Sequence, residues 1–340
     1  MSFKRLDTED ITISAESIVA PAWTNQVTTL TSFVTASSQA TVNRYYYDVY
    51  QTASNATGAV VQFSLAYGNR LGSGSQNITT GVDGKSPSSI VYGQYRTLVN
   101  GDENTDFIFG NTTPNSVFVI SVNRSRFKEK LLPGTFTLRL TSGSNTLTLT
   151  DNSQTLSTVS YTDSGRVFDI VSGSSGTVYT GININGYTPN SGSYGKYLPD
   201  VGVIVLNGEA LKAPSGNGGG LAMTINEASA IGTTSSPNLS PFYDIVKAGG
   251  SFTLQSEETI TSNFVFVRVR NSEYNYSTNP SIITGSGELR YDVLINSPQA
   301  YLTTVGLYND NNELLGVAKL SRPLLKDFTK EALIRIKLDY

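Results

Sequence analysis

The 340 residues are 38% hydrophobic and 10% aromatic, enough for one large core or two to three smaller ones. The formal net charge is −3 with Lys and Arg scattered, so the concentrated basic surface that nucleic-acid binding needs is absent and we expect no nucleic-acid partner. The sequence has no Cys and no His, which excludes disulfides, thiol nucleophiles, the usual zinc sites and the commonest general base. We therefore predict no cofactor, no metal and no enzymatic activity.

The N-terminal segment, residues 1–22, mixes charged residues with isolated apolar ones. It predicts a terminal arm that orders against a neighbouring subunit, with Phe3, Ile11 and Ile13 as interface candidates; an ordinary first strand is the alternative. Met1–Asp7 lacks the apolar core of a secretory signal, and no apolar stretch of the chain is long enough to span a bilayer. We expect no membrane partner, and a chain kept in the cytosol unless it leaves inside a particle.

The next feature is a tyrosine cluster, Tyr45–Tyr47, with Tyr50 close by. Strand alternation predicts that Tyr45 and Tyr47 are buried while Tyr46 is exposed. Exposed tyrosines are common contact residues in interfaces and in saccharide binding, which makes Tyr46 and Tyr50 interface candidates. A strand with an aromatic-rich core face is the alternative interpretation.

Three segments in the middle of the chain predict strands. Phe136–Leu140 and Thr146–Thr150 alternate apolar and polar residues around Ser142–Asn145, a pattern typical of a hairpin. Val203–Leu206 is continuously apolar and predicts a buried strand.

Further strands are predicted in the last third of the chain. Phe264–Arg270 is expected to enter the core from a covered position. Leu302–Tyr308 and Leu314–Leu320 bracket Asn309–Glu313, whose turn-forming residues predict a hairpin tip rather than a calcium loop. The alternation from Leu333 to Tyr340 predicts a buried C-terminal strand with Ile334, Ile336, Leu338 and Tyr340 on one face.

Helices are predicted to be few and short. Ser125 could cap a turn or two through Leu132, and Ser240–Lys247 precedes the stop signal Gly249–Gly250. Gly72–Ser75 and Gly81–Ser89 have the composition of exposed loops.

The fold class that follows is all-β, with antiparallel sandwich or barrel-like domains, long loops and a few short helices. Composition gives approximate domain boundaries: an arm with first strands (1–60), a β domain (61–150), a β insertion or second β domain (151–220) and a C-terminal β domain (221–340).

Acidic clusters are the candidates for a glycan-cleaving site, because such enzymes use two carboxylates. On a strand, the adjacent pair Glu257 and Glu258 would face opposite ways, and Glu288 and Asp292 would share a face with Arg290 between them. Asp102, Glu103 and Asp106 fall in a loop-like stretch. Since no pair is placed across a cleft, we predict no catalytic residue.

Four segments together resemble known sequences: Val122–Phe136, Tyr194–Gly202, Arg270–Pro280, and the tail from Thr303–Tyr308 through Asp327–Tyr340. They are similar to uncharacterised virion structural proteins of contractile-tailed phages, particularly those infecting cyanobacteria. The resemblance covers most of residues 60–150 and 165–340 and is weakest before residue 60. None of the segments is a catalytic signature.

The resemblance implies a structural component of a tailed-phage particle, in the tail, baseplate or neck. Its expected partners are other virion proteins and further copies of itself, as a homo-oligomer or in a symmetric multi-copy assembly. It would be assembled in the host cytoplasm and located in the virion. A receptor-binding or tail-fibre protein, a capsid decoration protein and a polysaccharide depolymerase are the alternatives.

Overall fold

The computed structural model describes residues 5–36, 45–75, 86–179, 193–215, 219–228, 237–277 and 279–339. It is built mostly of antiparallel strands with few helices, which confirms the predicted all-β class. The chain forms two compact units, a smaller one from residues 1–17 and 259–340, and a larger one from residues 18–258. The expected boundaries at residues 60, 150 and 220 lie inside the larger unit.

The first ten strands are β1 Ile11–Pro21, β2 Thr29–Leu30, β3 Val34–Thr35, β4 Tyr46–Tyr50, β5 Val61–Asn69, β6 Ser116–Val122, β7 Lys130–Leu131, β8 Thr137–Ser142, β9 Asn145–Asp151 and β10 Ser160–Thr162. The following strands are β11 Gly165–Ser174, β12 Thr177–Val178, β13 Gly195–Leu198, β14 Val203–Asn207, β15 Ser251–Thr253, β16 Gln255–Val269, β17 Gln299–Tyr308, β18 Leu314–Asp327 and β19 Ala332–Asp339. The helices are α1 Pro87–Asn100, α2 Gly208–Lys212, α3 Leu239–Gly249 and α4 Val293–Asn296.

One large sheet organises the larger unit, in the order β2-β15-β8-β9-β11-β13-β14-β6-β5-β4-β3, with β10 and β12 added to β11. Its pairs are antiparallel, both in the tight β8–β9 hairpin and between strands distant in sequence such as β14 and β6. The β8–β9 hairpin turns at Gly143, where φ is +58°, and pairs Leu138 with Leu149. The predicted hairpin is confirmed.

Both faces of this sheet are covered, because its central strands are apolar at successive positions. On β6, Phe118 and Ile120 join one core, whereas Val117 and Val119 join a second core on the opposite face. Strand β14 is buried along its whole length and contributes to both cores in the same alternating way. The prediction of a buried strand there is confirmed.

Two helices cover the sheet. Helix α1 packs on β5 at Gly68, where an added Cβ would lie 2.9 Å from the backbone nitrogen of Tyr92. Helix α3 ends at Gly250, whose φ of +65° forms a left-handed C-cap, as the two glycines predicted. Helix α1 was not predicted. Its first residues, Pro87–Ser89, belong to the segment that was predicted to be a loop, Gly81–Ser89. Residues 81–85 of that segment lie outside the described residues.

The helix predicted from Ser125 to Leu132 is wrong. Only Arg124–Arg126 form a 3-10 turn, capped by the side chain of Asn123. The chain then extends, and Leu131 enters β7, which pairs with β16 at Ser256. Tertiary pairing overrides the local helix signal.

The smaller unit contains a sheet that includes the β1, β16 and β19 strands in that order, and the hairpin β17–β18. Val265, Ile334 and Ile336 form its core, against which Leu302, Val305 and Leu320 pack. Only one face of β16 is buried in this unit, since Val265 is buried while Phe264 and Phe266 are half-buried. The prediction that this strand enters the core from a covered position is therefore wrong for its second face.

The two remaining predictions for this unit have separate outcomes. The β17–β18 hairpin is confirmed, and its tip is closed by Asn309, whose Oδ1 accepts from the backbone nitrogens of Asn311 and Glu313. The C-terminal strand is confirmed for Ile334 and Ile336, whereas Leu338 is 39% exposed, contrary to the prediction. Tyr340 lies outside the described residues.

Candidate functional site

The smaller unit has a marked imbalance between buried and exposed apolar side chains. Among its described residues, the buried apolar side chains are Val265, Val269, Ala332, Ile334 and Ile336. The large hydrophobic side chains that it exposes are Ile11, Ile13, Tyr274, Tyr276, Tyr291, Ile295, Tyr301, Tyr308, Leu314, Leu315, Val317, Leu324, Phe328, Leu333 and Leu338. These fifteen exceed the ten large hydrophobic side chains exposed among the described residues of the much longer larger unit, so the smaller unit is the candidate interaction surface.

Part of this surface lies at the tip of the β17–β18 hairpin. Tyr308 pairs with Leu314, and Gly306 pairs with Val317 on the neighbouring strand. An added Cβ on Gly306 would lie 2.8 Å from the ring of Tyr308, so the ring covers this glycine. Leu315 and Val317 are 71% and 61% exposed. The outward face of the tip is therefore apolar and aromatic.

The arm residues Ile11 and Ile13 lie on β1, at one edge of the smaller unit's sheet. Every side chain from Ile11 to Ala20 is exposed, with Ile13 at 70%. The arm is therefore an ordered strand in the chain itself, as the alternative interpretation held, but it adds no buried side chain before Pro21. The third arm candidate, Phe3, lies outside the described residues.

The tyrosine candidates occupy β4 in the larger unit. Tyr47 is buried and Tyr46 is 44% exposed, as alternation predicted. Tyr45 is only half-buried, contrary to the prediction, and Tyr50 is half-buried as well. Tyr46 pairs with Ala66 and Tyr50 with Val61 on β5. The predicted interface residues are therefore divided between the two units, with Ile11 and Ile13 in the smaller one.

The outward face of β16 and β19 combines aromatic and charged side chains. The Arg335 guanidinium lies 5.4 Å from the ring centre of Phe264. Lys337 is 3.1 Å from Asp339 and 3.9 Å from Glu16 on β1, so the Glu16 and Lys337 side chains share one face of the sheet. Such exposed pairs add little stability to an isolated chain.

The predicted acidic candidates form ion pairs that occupy several of the carboxylates. Asp106 bonds to Arg70 at 2.7 Å, with Arg96 at 3.5 Å. Glu258 pairs with Lys128 at 2.7 Å, and Glu257 lies 3.9 Å from Lys130. Asp106, Glu257 and Glu258 are therefore each neutralised by a neighbouring Lys or Arg and do not face a second carboxylate.

The remaining acidic candidates are turn residues. The Asp102 carboxylate accepts from the Thr105 hydroxyl and the Asn104 backbone, which lowers the pKa of Asp102. Glu103 is exposed in the same loop. Glu288 and Asp292 do not share a strand, because the chain there turns and then enters α4; the predicted common face is wrong.

A shallow concavity in the larger unit is lined by Glu129, Lys130, Tyr161, Arg166 and Asp200. Asp200 accepts hydrogen bonds from three donor atoms of Arg166, at 2.7 Å from Nη2, 3.0 Å from Nε and 2.7 Å from the backbone nitrogen. Burial acts to raise the pKa of Asp200, but these bonds outweigh it and hold the pKa below its usual value. A carboxylate held ionised in this way is a poor general acid.

Two buried ionisable groups were not predicted from the sequence. Asp151 is fully buried and accepts the Gly134 backbone N–H at 2.6 Å, and burial raises its pKa. Lys326 is also fully buried, and its ammonium donates to the Asn271 carbonyl, the Asn275 side chain and the Asp327 carbonyl at 3.0, 2.7 and 2.8 Å. Each fixes a turn, and neither faces the concavity described above.

Within the part of the chain that the structure describes, no group of three or more acidic side chains is arranged to hold a metal ion. The helices described here include none that is long and apolar enough to cross a membrane. No protein-family model, no curated protein and no solved structure matches the chain at a significant level.

Proposed function

We propose that this chain is a non-enzymatic structural component of a tailed-phage particle, in the tail, baseplate or neck, that acts through protein–protein assembly. The sequence resemblance of the four segments supports the type of particle. The observation that carries the assembly role is the smaller unit, which buries five apolar side chains and exposes fifteen large ones among its described residues.

A unit of this size gains too little from such a core to offset the conformational entropy lost on folding. Burying one Leu, Ile or Val contributes about 1.5–3 kcal/mol, so transferring several exposed side chains into an interface would supply the missing stability. The larger unit has extensive cores of its own. Function in this account is geometric: the rigid sheet holds position, and the smaller unit binds neighbours.

Receptor recognition is the second candidate. It is favoured by five exposed tyrosines among the described residues of the smaller unit, because exposed tyrosines suit saccharide binding; these are Tyr274, Tyr276, Tyr291, Tyr301 and Tyr308. Binding of the isolated protein to host cells, abolished by changing Tyr301 and Tyr308 to Ser, would support this candidate over the assembly role.

The test of the proposed function is the protein content of purified particles of the phage that encodes the chain. We expect mass spectrometry to detect the chain at a fixed stoichiometry to the tail proteins, retained after high-salt washing. Its absence from washed particles would contradict the proposal.

A further inference from the structure

The smaller unit's sheet has two open edges. In the order β1-β16-β19, β1 and β19 each have β16 as their strand partner, and neither has another strand partner among the described residues. An open edge presents a row of backbone N–H and C=O groups that can pair with another chain. Edge strands usually limit this with Pro, a bulge or charged side chains, and a charged edge repels a like-charged edge but not one of opposite charge. Strand β1 has one charged residue, Glu16, and no Pro before its last position, Pro21.

The two edges differ in charge. The approach to β1 and the strand itself carry Asp7, Glu9, Asp10 and Glu16, and the sequence has no basic residue between Arg5 and Arg44. Strand β19 carries Arg335 and Lys337, with Asp339 as its one acidic residue. One edge is therefore acidic, and the other is mainly basic.

We infer that β1 of one copy of this chain pairs with β19 of a second copy, which continues the sheet from copy to copy. This inference rests on the proposed assembly function and names its partner. Glu16 and Lys337 already share one sheet face, where they lie 3.9 Å apart across the intervening β16. In the contact between copies, the acidic residue and the basic residues of the neighbour occupy adjacent strands, about 4.8 Å apart.

The alternative pairings between copies are disfavoured by charge. Pairing β1 with a second β1 brings the acidic segments of two copies together, and pairing β19 with a second β19 does the same for Arg335 and Lys337. Like charges on adjacent strands are destabilising, whereas opposite charges fix the choice of partner. A contact between two different edges is heterologous, so it builds a ring when the rotation closes.

Exposed apolar side chains lie on both edge strands. Ile11 and Ile13 are exposed on β1, and Leu333 and Leu338 are exposed on β19. A heterologous contact uses one of these edges on each side. Edge pairing provides the backbone hydrogen bonds and the register, and the apolar side chains provide the buried area.

The test uses cysteine crosslinking, which is clean because the chain has no natural cysteine. Ser14→Cys marks β1 and Leu333→Cys marks β19; both positions are exposed. The two variants are co-expressed with different tags, purified through both tags in succession and treated with a short bismaleimide. Each variant expressed alone is the matched control, and light scattering gives the mass of each sample.

We expect an oligomer whose crosslinked dimer joins the two tags, with no such dimer in either variant alone. A dimer formed by the Ser14→Cys variant alone overturns the inference in favour of β1 self-pairing. An oligomer without any crosslink also overturns it and leaves the proposed function intact. A chain that is monomeric in solution yet present in washed particles overturns the inference alone, whereas a monomer absent from particles overturns both.

Discussion

The indole nitrogen of Trp23 donates a hydrogen bond of 2.8 Å to the backbone carbonyl of Phe252, 229 residues further along the chain. Their ring centres are 4.8 Å apart, and both side chains are buried in the larger core. The bond fixes the residues after β1 to β15 within the larger unit. Trp23 is also the single tryptophan of the sequence, so its fluorescence reports on this unit.

Trp23→Phe should lower the free energy of unfolding of the larger unit by about 1–3 kcal/mol, because the buried Phe252 carbonyl loses its donor. Urea unfolding followed by circular dichroism measures the change. Tyr161→Phe, at a side chain that is 71% exposed, is the control and should change the free energy by less than about 0.5 kcal/mol. Equal stabilities of the Trp23→Phe variant and the native chain would contradict the assigned role.

Two helical glycines form a matched pair. An added Cβ on Gly249 of α3 would lie 1.8 Å from the Arg139 carbonyl oxygen of β8, whereas one on Gly93 of α1 would meet no atom within 4 Å. Gly93→Ala should therefore stabilise by up to about 1 kcal/mol through helix propensity. Gly249→Ala should destabilise by about 1–3 kcal/mol, because the helix must move off the strand. Thermal unfolding of both variants tests the packing, and a stabilising Gly249→Ala would refute it.

Asp151 predicts a dependence of stability on pH. Burial raises the pKa of Asp151 above its ordinary value of 3.8, so the folded state binds the proton more tightly than the unfolded state. The contribution of this group to stability is therefore greatest below pH 3.8 and falls as the pH rises through the raised pKa. Asp151→Asn keeps an acceptor for the Gly134 N–H and removes the titration.

We expect Asp151→Asn to gain stability relative to the native chain as the pH rises through this range. Asp151→Ala should instead lose about 1–3 kcal/mol at low pH, because the Gly134 donor is left buried without its acceptor, and this loss should shrink as the pH rises because the titration is removed here too. Urea unfolding of both variants from pH 3 to pH 7 checks the sign. A gain for Asp151→Asn that shrinks with rising pH would show that the carboxylate is stabilised by its surroundings.

Ile336 is 5% exposed and belongs to the small core with Val265 and Ile334. Ile336→Ala should destabilise the smaller unit by about 2–5 kcal/mol, a large loss for so few buried side chains. Hydrogen exchange of β16 and β19 measures it, with Lys319→Ala on the exposed face of the hairpin as the control. Unchanged protection in Ile336→Ala would place the stability of this unit elsewhere.

The regular strands were predictable because their signals are local. Alternation on either side of Ser142–Asn145 and of Asn309–Glu313 is sufficient to predict a hairpin, and Gly249–Gly250 marks the end of α3. Helix α1 was missed because its few buried residues, Ser88, Tyr92 and Val99, give only a weak apolar stripe. Its position depends on close contact with Gly68, which the local sequence does not reveal.

The candidate surface was predictable only in part. The isolated apolar residues of the arm identified Ile11 and Ile13, but the exposed face of the hairpin looked like an ordinary alternating strand. Tyr308 and Val317 are recognisable as exposed only when the pairing of β17 with β18 and the small size of the core are known. The buried charges Asp151 and Lys326 were missed for the same reason, since their partners are set by the fold.

The most direct test of the account is hydrogen exchange of the purified full-length protein at high and at low concentration. If other copies complete the smaller unit, amides of β1, β19 and the β17–β18 hairpin lose protection on dilution, while those of β6 and β14 in the larger unit do not. Equal protection of β1, β19 and the hairpin at both concentrations, in a protein that light scattering shows to be monomeric, would contradict the claim that this unit is completed by neighbouring copies.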